Sequence, residues 1–475
     1  MSARLLKPLA LLTLAALAQQ AAASGYHFGT QSVTAQSTAN AAAAEAVDAS
    51  TIFYNPAGLA KLENSEITAA ANIVMPHIEY SGAEAAYRRT GTAVGGETSG
   101  TITKKATFAP HLYGAYKAGD VTVGLGVYVP FASATDYSGQ SVLRHHLNRL
   151  GLTSIAVEPV VAYKFNDKHS VGAGLIAQHS SAELRKYADW DASGTVSALA
   201  SRQASQAAGR PVSVDATGHA DGHAEVKGKD WGFGYQFAWL WDINDRVRVG
   251  ANYRSKVKHK LKGSADWYAD GDYVKPVYAA RIGVPVAAGG SGYVPHEKAE
   301  VEIVTPESLS LHGMYKATDR FNLFGDVTWT RHSRFNKAEL VFENTKNVVN
   351  GKSNRTVITP NWRNTYKVAV GGSYQYSEPL QLRAGIAFDQ SPVRGAQSRL
   401  NTLPDGNRIW YSLGAKYTLR KNHVFDVAYS HIHINDTTFS AATSTGDNVD
   451  SKGTAYAKFR NYANIVGLQY SYKFK

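Results

Sequence analysis

Six aromatic side chains, Trp231, Phe233, Tyr235, Phe237, Trp239 and Trp241, take every second position of one segment, with Gly232, Gly234, Gln236, Ala238, Leu240 and Asp242 between them. Successive side chains of a β-strand point to opposite faces, so this spacing puts all six aromatics on one side. A soluble fold could bury such a face under a second sheet, as a secreted sandwich or solenoid would. Similar rows recur, however. Val121, Val123, Leu125, Val127 and Val129 alternate with Thr122, Gly124, Gly126 and Tyr128, and Leu380, Leu382, Ala384, Ile386 and Phe388 alternate with Gln381, Arg383, Gly385, Ala387 and Asp389. One face suits lipid and the other a polar interior, the pattern of a transmembrane β-barrel. A mean hydropathy of −0.28 does not oppose this reading, because the two faces average out. The 27 Tyr and 8 Trp can supply interfacial girdles.

The N-terminus fixes the compartment. Arg4 and Lys7 precede an apolar run over 9–18 and the small residues Ala21-Ala22-Ala23, the layout of an export signal with a mature start at Ser24. The run is shorter than the roughly 20 apolar residues of a spanning helix, so any membrane crossing falls to strands. The absence of cysteine excludes small disulfide-stapled folds. A net charge of +12, scattered rather than blocked, favours lipopolysaccharide at the rim or an anionic ligand inside over nucleic acid. No linker separates regions of different composition, which favours one large domain.

Tight-turn signals occur at Gly119-Asp120, Asn166-Asp167, Asn244-Asp245, Thr318-Asp319, Ser377-Glu378-Pro379 and Lys421-Asn422, each between alternating segments. Longer polar stretches at 82–103, 136–150, 189–228, 263–296, 346–356, 394–406 and 436–453 alternate with them. This order gives about fourteen antiparallel strands, with short turns periplasmic and long loops outside. Before the first strand, residues 34–50 are Ala-rich, with helix-friendly Ala41 to Ala46, and Asn55-Pro56-Ala57 reads as a sharp break. A segment without strand periodicity suits a plug better than an open pore. The expected organisation is a signal over 1–23, an N-terminal helical hatch over 24–64 and an all-β transmembrane antiparallel barrel over 65–475. The last segment, Val466, Leu468, Tyr470, Tyr472 and Phe474, ends in the aromatic pattern of closing barrel strands, displaced by one residue because Lys475 follows.

Ser24-Gly25-Tyr26, Asn55-Pro56-Ala57, Trp231-Gly232-Phe233-Gly234, Tyr253-Arg254-Ser255, the stretch 383–393 and the end from Tyr462 to Phe474 together resemble the FadL-type long-chain fatty acid transporters of the Gram-negative outer membrane. The resemblance covers nearly the whole mature chain, and 383–393 is its most specific part. It implies a monomeric barrel plugged by a hatch, with apolar ligands captured outside and passed through the wall. It implies no cofactor. Pro130 cannot donate to a ladder, so strand three should kink or bulge there, unless the proline merely ends the strand; in the family such a kink opens a window to the bilayer.

Leu143, Leu147 and Leu150 have the spacing of a helical stripe, and 193–208 reads as a helix with Ser193 as cap, Gly209 after its end and Pro211 beyond. The resemblance makes these loops the entry site; alternatively they pack on one another. Alternation along strand seven puts Arg254, Lys256, Lys258 and Lys260 on one face, opposite Val249, Ala251, Tyr253 and Val257, where they could line the lumen. Arg185 and Lys186 at the top of strand five, and Arg334 and Lys337 beyond strand nine, lie where the resemblance places a carboxylate pocket, with Lys186 and Lys337 as its two cations. Otherwise these residues serve lumen electrostatics against Glu158, Asp326 and Asp389, or contact lipopolysaccharide. Tyr26 matches the aromatic that the family's N-terminus inserts into the pocket.

Enzyme readings lack support. His431-x-His433 offers no third metal ligand, and neither a Gly-x-Ser-x-Gly elbow nor a phosphate-cradling glycine loop occurs. The expected function is passive uptake of hydrophobic compounds, long-chain fatty acids by default. The alternatives are uptake of monoaromatic hydrocarbons, which would not need Lys186 or Lys337, a general porin, or a surface adhesin.

Overall fold

The computed structural model describes residues 29–277, 283–348, 351–442 and 452–474. The expected signal and Tyr26 lie outside the described residues. Fourteen strands form the wall: β1 (Ser65–Ala85), β2 (Thr107–Ala118), β3 (Val121–Asp136), β4 (Leu147–Lys164), β5 (His169–Asp189), β6 (Asp221–Asp242), β7 (Val247–Arg254 and Val257–Ala269), β8 (His296–Thr305 and Ser308–Lys316), β9 (Phe321–Thr330 and Ala338–Val348), β10 (Gly351–Ile358 and Thr365–Gln375), β11 (Leu380–Asp389), β12 (Arg408–Leu419), β13 (His423–Ala441) and β14 (Ala455–Phe474). Each pairs antiparallel with its chain neighbours, and β1 closes the barrel on β14 from Ser65 opposite Phe474 to Ala85 opposite Ala455. Closure leaves no open edge in lipid, where each unsatisfied backbone group costs several kcal/mol.

The six expected tight turns all join consecutive strands at one end. The stretch 346–356, expected as a loop, is instead strand on both sides of 349–350. The aromatic row of β6 faces outward, with Phe233 74% exposed. Its intervening glycines face inward: a Cβ on Gly232 would lie 2.5 Å from Val257.

Strands β7 to β10 are each interrupted, at 255–256, 306–307, 331–337 and 359–364. Register aligns these gaps. Arg254 faces Ser308 below the break and Val257 faces Thr305 above it, and Thr330 then faces both Ser308 and Thr365. The gap also corrects the alternation expected for strand seven. Asn252 and Arg254 turn inward below the break, whereas Val257, His259 and Leu261 do so above it. Lys258 and Lys260 therefore point outward, Lys260 pairing with Glu300 at 2.8 Å. Of the four basic residues only Arg254 reaches deep into the lumen.

The segment before β1 fills the barrel. It contains two single-turn helices, α1 (Val33–Gln36) and α2 (Thr51–Tyr54), and a 3-10 turn over Pro56–Lys61. Ser32 caps α1 by accepting from the Ala35 N–H at 3.1 Å. The Ala-rich run is not the expected helix. It turns, with Ala39, Asn40 and Ala46 at positive φ, and its small side chains let it approach the wall. A Cβ on Gly385 of β11 would lie 2.2 Å from the Thr38 carbonyl carbon. Arg383 on β11 donates to Glu45 through both Nη atoms and to Ser37 Oγ through Nε, all out of water.

Candidate functional site

Among the described residues, two of the internal cavities bear on the expected site. The outer one, about 280 Å³, is enclosed by the upper parts of the wall and by the loops before β12 and β14. Leu147, Leu184, Trp267, Leu340 and Phe342 give it apolar walls, and Lys186 and Lys452 enter it. Two aromatic walls are held from behind. Trp267 Nε1 donates to Glu297 Oε1 at 2.7 Å, and Lys346, ion-paired to Glu297, lies 4.4 Å from the Phe342 ring centroid and 5.3 Å from that of Trp267. Neither Lys346 nor Glu297 has any exposed side chain, so the pair and its aromatic cage form one buried unit. Burial pulls the ammonium of Lys452, in the loop before β14, below its ordinary pKa.

The inner cavity, about 120 Å³, lies between the hatch and the interrupted strands. Pro130 and Phe131 of β3 line it, as do Gly29, Phe53 and Tyr54 of the hatch segment. At this level β3 is irregular. Its register with β4 shifts between Tyr128 and Phe131, and its pairing with β2 stops at Val127. The Val129 carbonyl accepts instead from the Gln31 side chain at 2.8 Å, while the Gln31 carbonyl accepts from Tyr113 Oη at 2.7 Å. Hatch atoms thus complete hydrogen bonds that the interrupted wall leaves open. Beside them Arg254 lies 4.5 Å over the Phe53 ring and bonds Glu158 at 3.1 Å.

Asn55-Pro56-Ala57 anchors the other side of the plug. The Asn55 carbonyl oxygen of the side chain accepts from the Ala57 N–H at 3.0 Å, and its Nδ2 donates to the Trp239 carbonyl at 3.1 Å and lies 2.8 Å from His312 Nε2. Pro56 begins the 3-10 turn, where its missing N–H costs nothing. The Ala57 carbonyl accepts from Ser170 Oγ at 3.0 Å, and a Cβ on Gly172 would lie 2.4 Å from Ala57 N. Only glycine permits that approach.

Among the expected ligand residues, Leu147 and Lys186 meet in the outer cavity. The others go elsewhere. Leu143 is fully buried among Tyr80, Tyr87 and Phe439 in the loop core. The helical stripe fails because 147–164 joins the ladder, Leu147 opposite Lys186 and Leu150 opposite Thr135; strand pairing outweighs a weak local preference. Arg185 donates to Asn148 Oδ1 at 2.6 Å and pairs with Asp136. Arg334 grips Glu307 at 2.6 and 2.9 Å, and Lys337, half exposed, pairs with Glu339. Lys337 lies in the gap just before Ala338, and the Lys337-x-Glu339 spacing was the available signal for that pair.

The second loop does form a helix, α3 (Thr195–Ala208), ended by Gly209 at φ 62°. Its cap position is Gly194 at φ 77°, without a side-chain bond, because Ser193 instead pairs with the Thr195 hydroxyl. The helix buries Val196 and Ala200, and Val196 packs with Ala216 and Ala220 of its own loop and with Val274. Lys452 sits in a polar stretch that resembles any solvated loop, so nothing in the sequence singled it out.

Residues 14–474 match the family model described as outer membrane protein transport protein (OMPP1/FadL/TodX). The chain is 64% identical over 470 residues to an outer membrane protein of Neisseria meningitidis serogroup B, covering 99% of this chain and 98% of that one. It is 23% identical over 439 residues to the long-chain fatty acid transport protein of Escherichia coli, covering 90% and 89%. The solved structure of a Pseudomonas aeruginosa FadL homologue superposes with a TM-score of 0.81 at 23% identity, covering 95% of this chain and 100% of that one. The toluene transporter TbuX of Ralstonia pickettii gives 0.62 at 17%, covering 94% and 98%. The closed fourteen-stranded barrel, its internal plug and this family match over almost the whole chain lead to one assignment: the protein belongs to the OMPP1/FadL/TodX family, non-enzymatic outer membrane transporters of hydrophobic compounds.

Proposed function

We propose that this transporter takes up long-chain fatty acids as a monomer, holding the carboxylate on Lys186 in the outer cavity and releasing the ligand sideways beside Pro130. The observation that carries the reading is a chamber in which apolar and aromatic walls are combined with three cationic side chains, Lys186, Arg399 and Lys452. Lys186 and Leu147 face each other in register, with Trp267, Leu340 and Phe342 around them. An ammonium there can form a charge-assisted bond to a carboxylate while the walls cover an alkyl chain. A neutral hydrocarbon would form no such bond. Lys337 drops out of the pocket because it pairs with Glu339 at the surface; Lys452 takes its place as second cation. The lateral route is supported by the bulge at Tyr128 to Phe131 and by the loss of β2–β3 pairing beyond Val127.

Oleate and toluene binding to the purified mature protein tests this reading. Micromolar oleate binding that weakens about tenfold or more in Lys186→Ala is expected, since one charge-assisted bond contributes roughly 1.5–3 kcal/mol. Toluene binding without oleate binding, or no effect of the substitution, moves the protein to hydrocarbon uptake.

A further inference from the structure

The inner cavity contains a second cation that neither the hatch nor the wall neutralises directly. Lys367 lies on β10 opposite Thr328 of β9 and Asp389 of β11, and it lines that cavity with them. Its Nζ is 4.5 Å from the ring centroid of Trp410. The neighbouring carboxylates are engaged elsewhere. Asp389 pairs with Arg408 at 3.4 Å, and Asp326 accepts from Ser310 at 2.5 Å and from Thr328 at 2.6 Å. Among the described residues no carboxylate comes within ion-pairing distance of Lys367. An aromatic face attracts a cation but offers no lone pair, so the three ammonium donors keep hydrogen-bonding capacity toward the cavity.

The rest of that space has the character of an amphiphile's path. Pro130, Phe131, Ile176 and Val257 supply apolar surface. The position a Cβ would take on Gly29 is 3.9 Å from Lys367 Nζ, which places the ammonium against the hatch segment. Arg254 also lines this cavity but is held by Glu158 at 3.1 Å; Lys367 beside a tryptophan, with apolar surface leading to the irregular part of β3, matches a monocarboxylate carrying an alkyl chain. We propose that Lys367 is a second, inner carboxylate site, which receives the headgroup of a fatty acid after it leaves Lys186 and positions its chain toward Pro130. This rests on the fatty acid reading of the outer cavity. A headgroup on Lys367 abuts the hatch, so arrival there is the step at which a ligand can push on the plug.

Contact quenching of tryptophan by a brominated acid tests the proposal on the full mature protein. Emission of Trp410, isolated as the difference from Trp410→Phe, is followed during titration with 2-bromohexadecanoate, whose bromine lies next to the carboxylate. Trp410 is expected to be quenched. Lys367→Met should raise the concentration needed by about tenfold or more, Lys367→Arg should restore it, and the methyl ester should not quench. Oleate binding to the outer cavity should be unchanged in Lys367→Met. Equal quenching in Lys367→Met and wild type, or equal quenching by acid and ester, overturns the inner site alone while oleate binding stands. Absence of any oleate binding to the wild type overturns both readings.

Discussion

Arg383 and Glu45 are the most informative pair for asking how firmly the plug is held. The two side chains are 0% and 7% exposed, and the guanidinium meets both Glu45 oxygens and Ser37 Oγ. In Arg383→Met the carboxylate stays buried without its partner, a change that costs about 3–5 kcal/mol. At about 1.4 kcal/mol per tenfold, the fraction of molecules with an undocked hatch should rise by roughly a hundredfold to a few thousandfold. The chain has no cysteine, so one introduced thiol reports on the hatch alone. Ala44 is fully buried in it, and Ala44→Cys is a small change. The rate at which a soluble thiol reagent labels this residue, measured where opening is fast relative to labelling, follows the undocked fraction. Arg383→Met should accelerate labelling by the factor above. Glu45→Met combined with Arg383→Met should return it most of the way, because two apolar groups leave no stranded charge. A single substitution with less than about tenfold effect, or a double variant as fast as the single one, would refute the view that this pair fixes the hatch.

Three other outcomes follow from the geometry. Lys346→Met strands Glu297 behind the outer cavity, so oleate affinity should fall although Lys346 touches no ligand; adding Glu297→Gln should recover part of it, as titrations would report. Glu307→Ala removes the acceptor shared by Arg331 and Arg334 at 2.6 to 3.2 Å, and the barrel's unfolding temperature in detergent should drop, while Lys337→Ala leaves it unchanged. In the external loop, hydrogen bonds from Thr217 and then from Arg89 hold Asp215 down to about 2, against roughly 3.9 in an unfolded chain. Its contribution to loop order is therefore present above pH ~4 and lost as pH falls through about 2. Pepsin should cut around 195–217 much faster at pH ~2 than at pH ~4, and Asp215→Asn should flatten that difference.

The wall was legible in the sequence because its information is periodic. Trp231 to Trp241 declares its face, Gly119-Asp120 or Lys421-Asn422 declares a turn, and the order of short and long connections fixes strand number. The site was less legible because its geometry depends on departures from period. The two-residue gap at 255–256 turns Lys258 and Lys260 outward, and nothing in Tyr253-Arg254-Ser255 announces it. Lys186 was found through resemblance, but whether Arg185 or Lys186 enters the chamber is decided by strand alternation and by Asp136 and Asn148, which claim Arg185. Lys452 and Lys367 matter through what surrounds them in space, and their sequence neighbours carry no trace of Lys186 or Trp410. Leu143 shows the converse: an apolar spacing of helical type served a loop core instead.

The aligned gaps in β7 to β10 have a mechanical consequence. A cylinder of continuous strands is a single shell, in which shear applied at the rim is transmitted to the opposite rim through the ladder. Where four adjacent strands are cut at one height the ladder is weakened, and Glu307 in the β8 gap ties it to Arg331 and Arg334 in the β9 gap, side by side along the cut. The upper quadrant then behaves as a separate storey resting on the lipid-embedded one. Insertions or deletions in the loops above β7 to β10 can be absorbed by rotation along this line, without retuning the register of the strands that meet the bilayer.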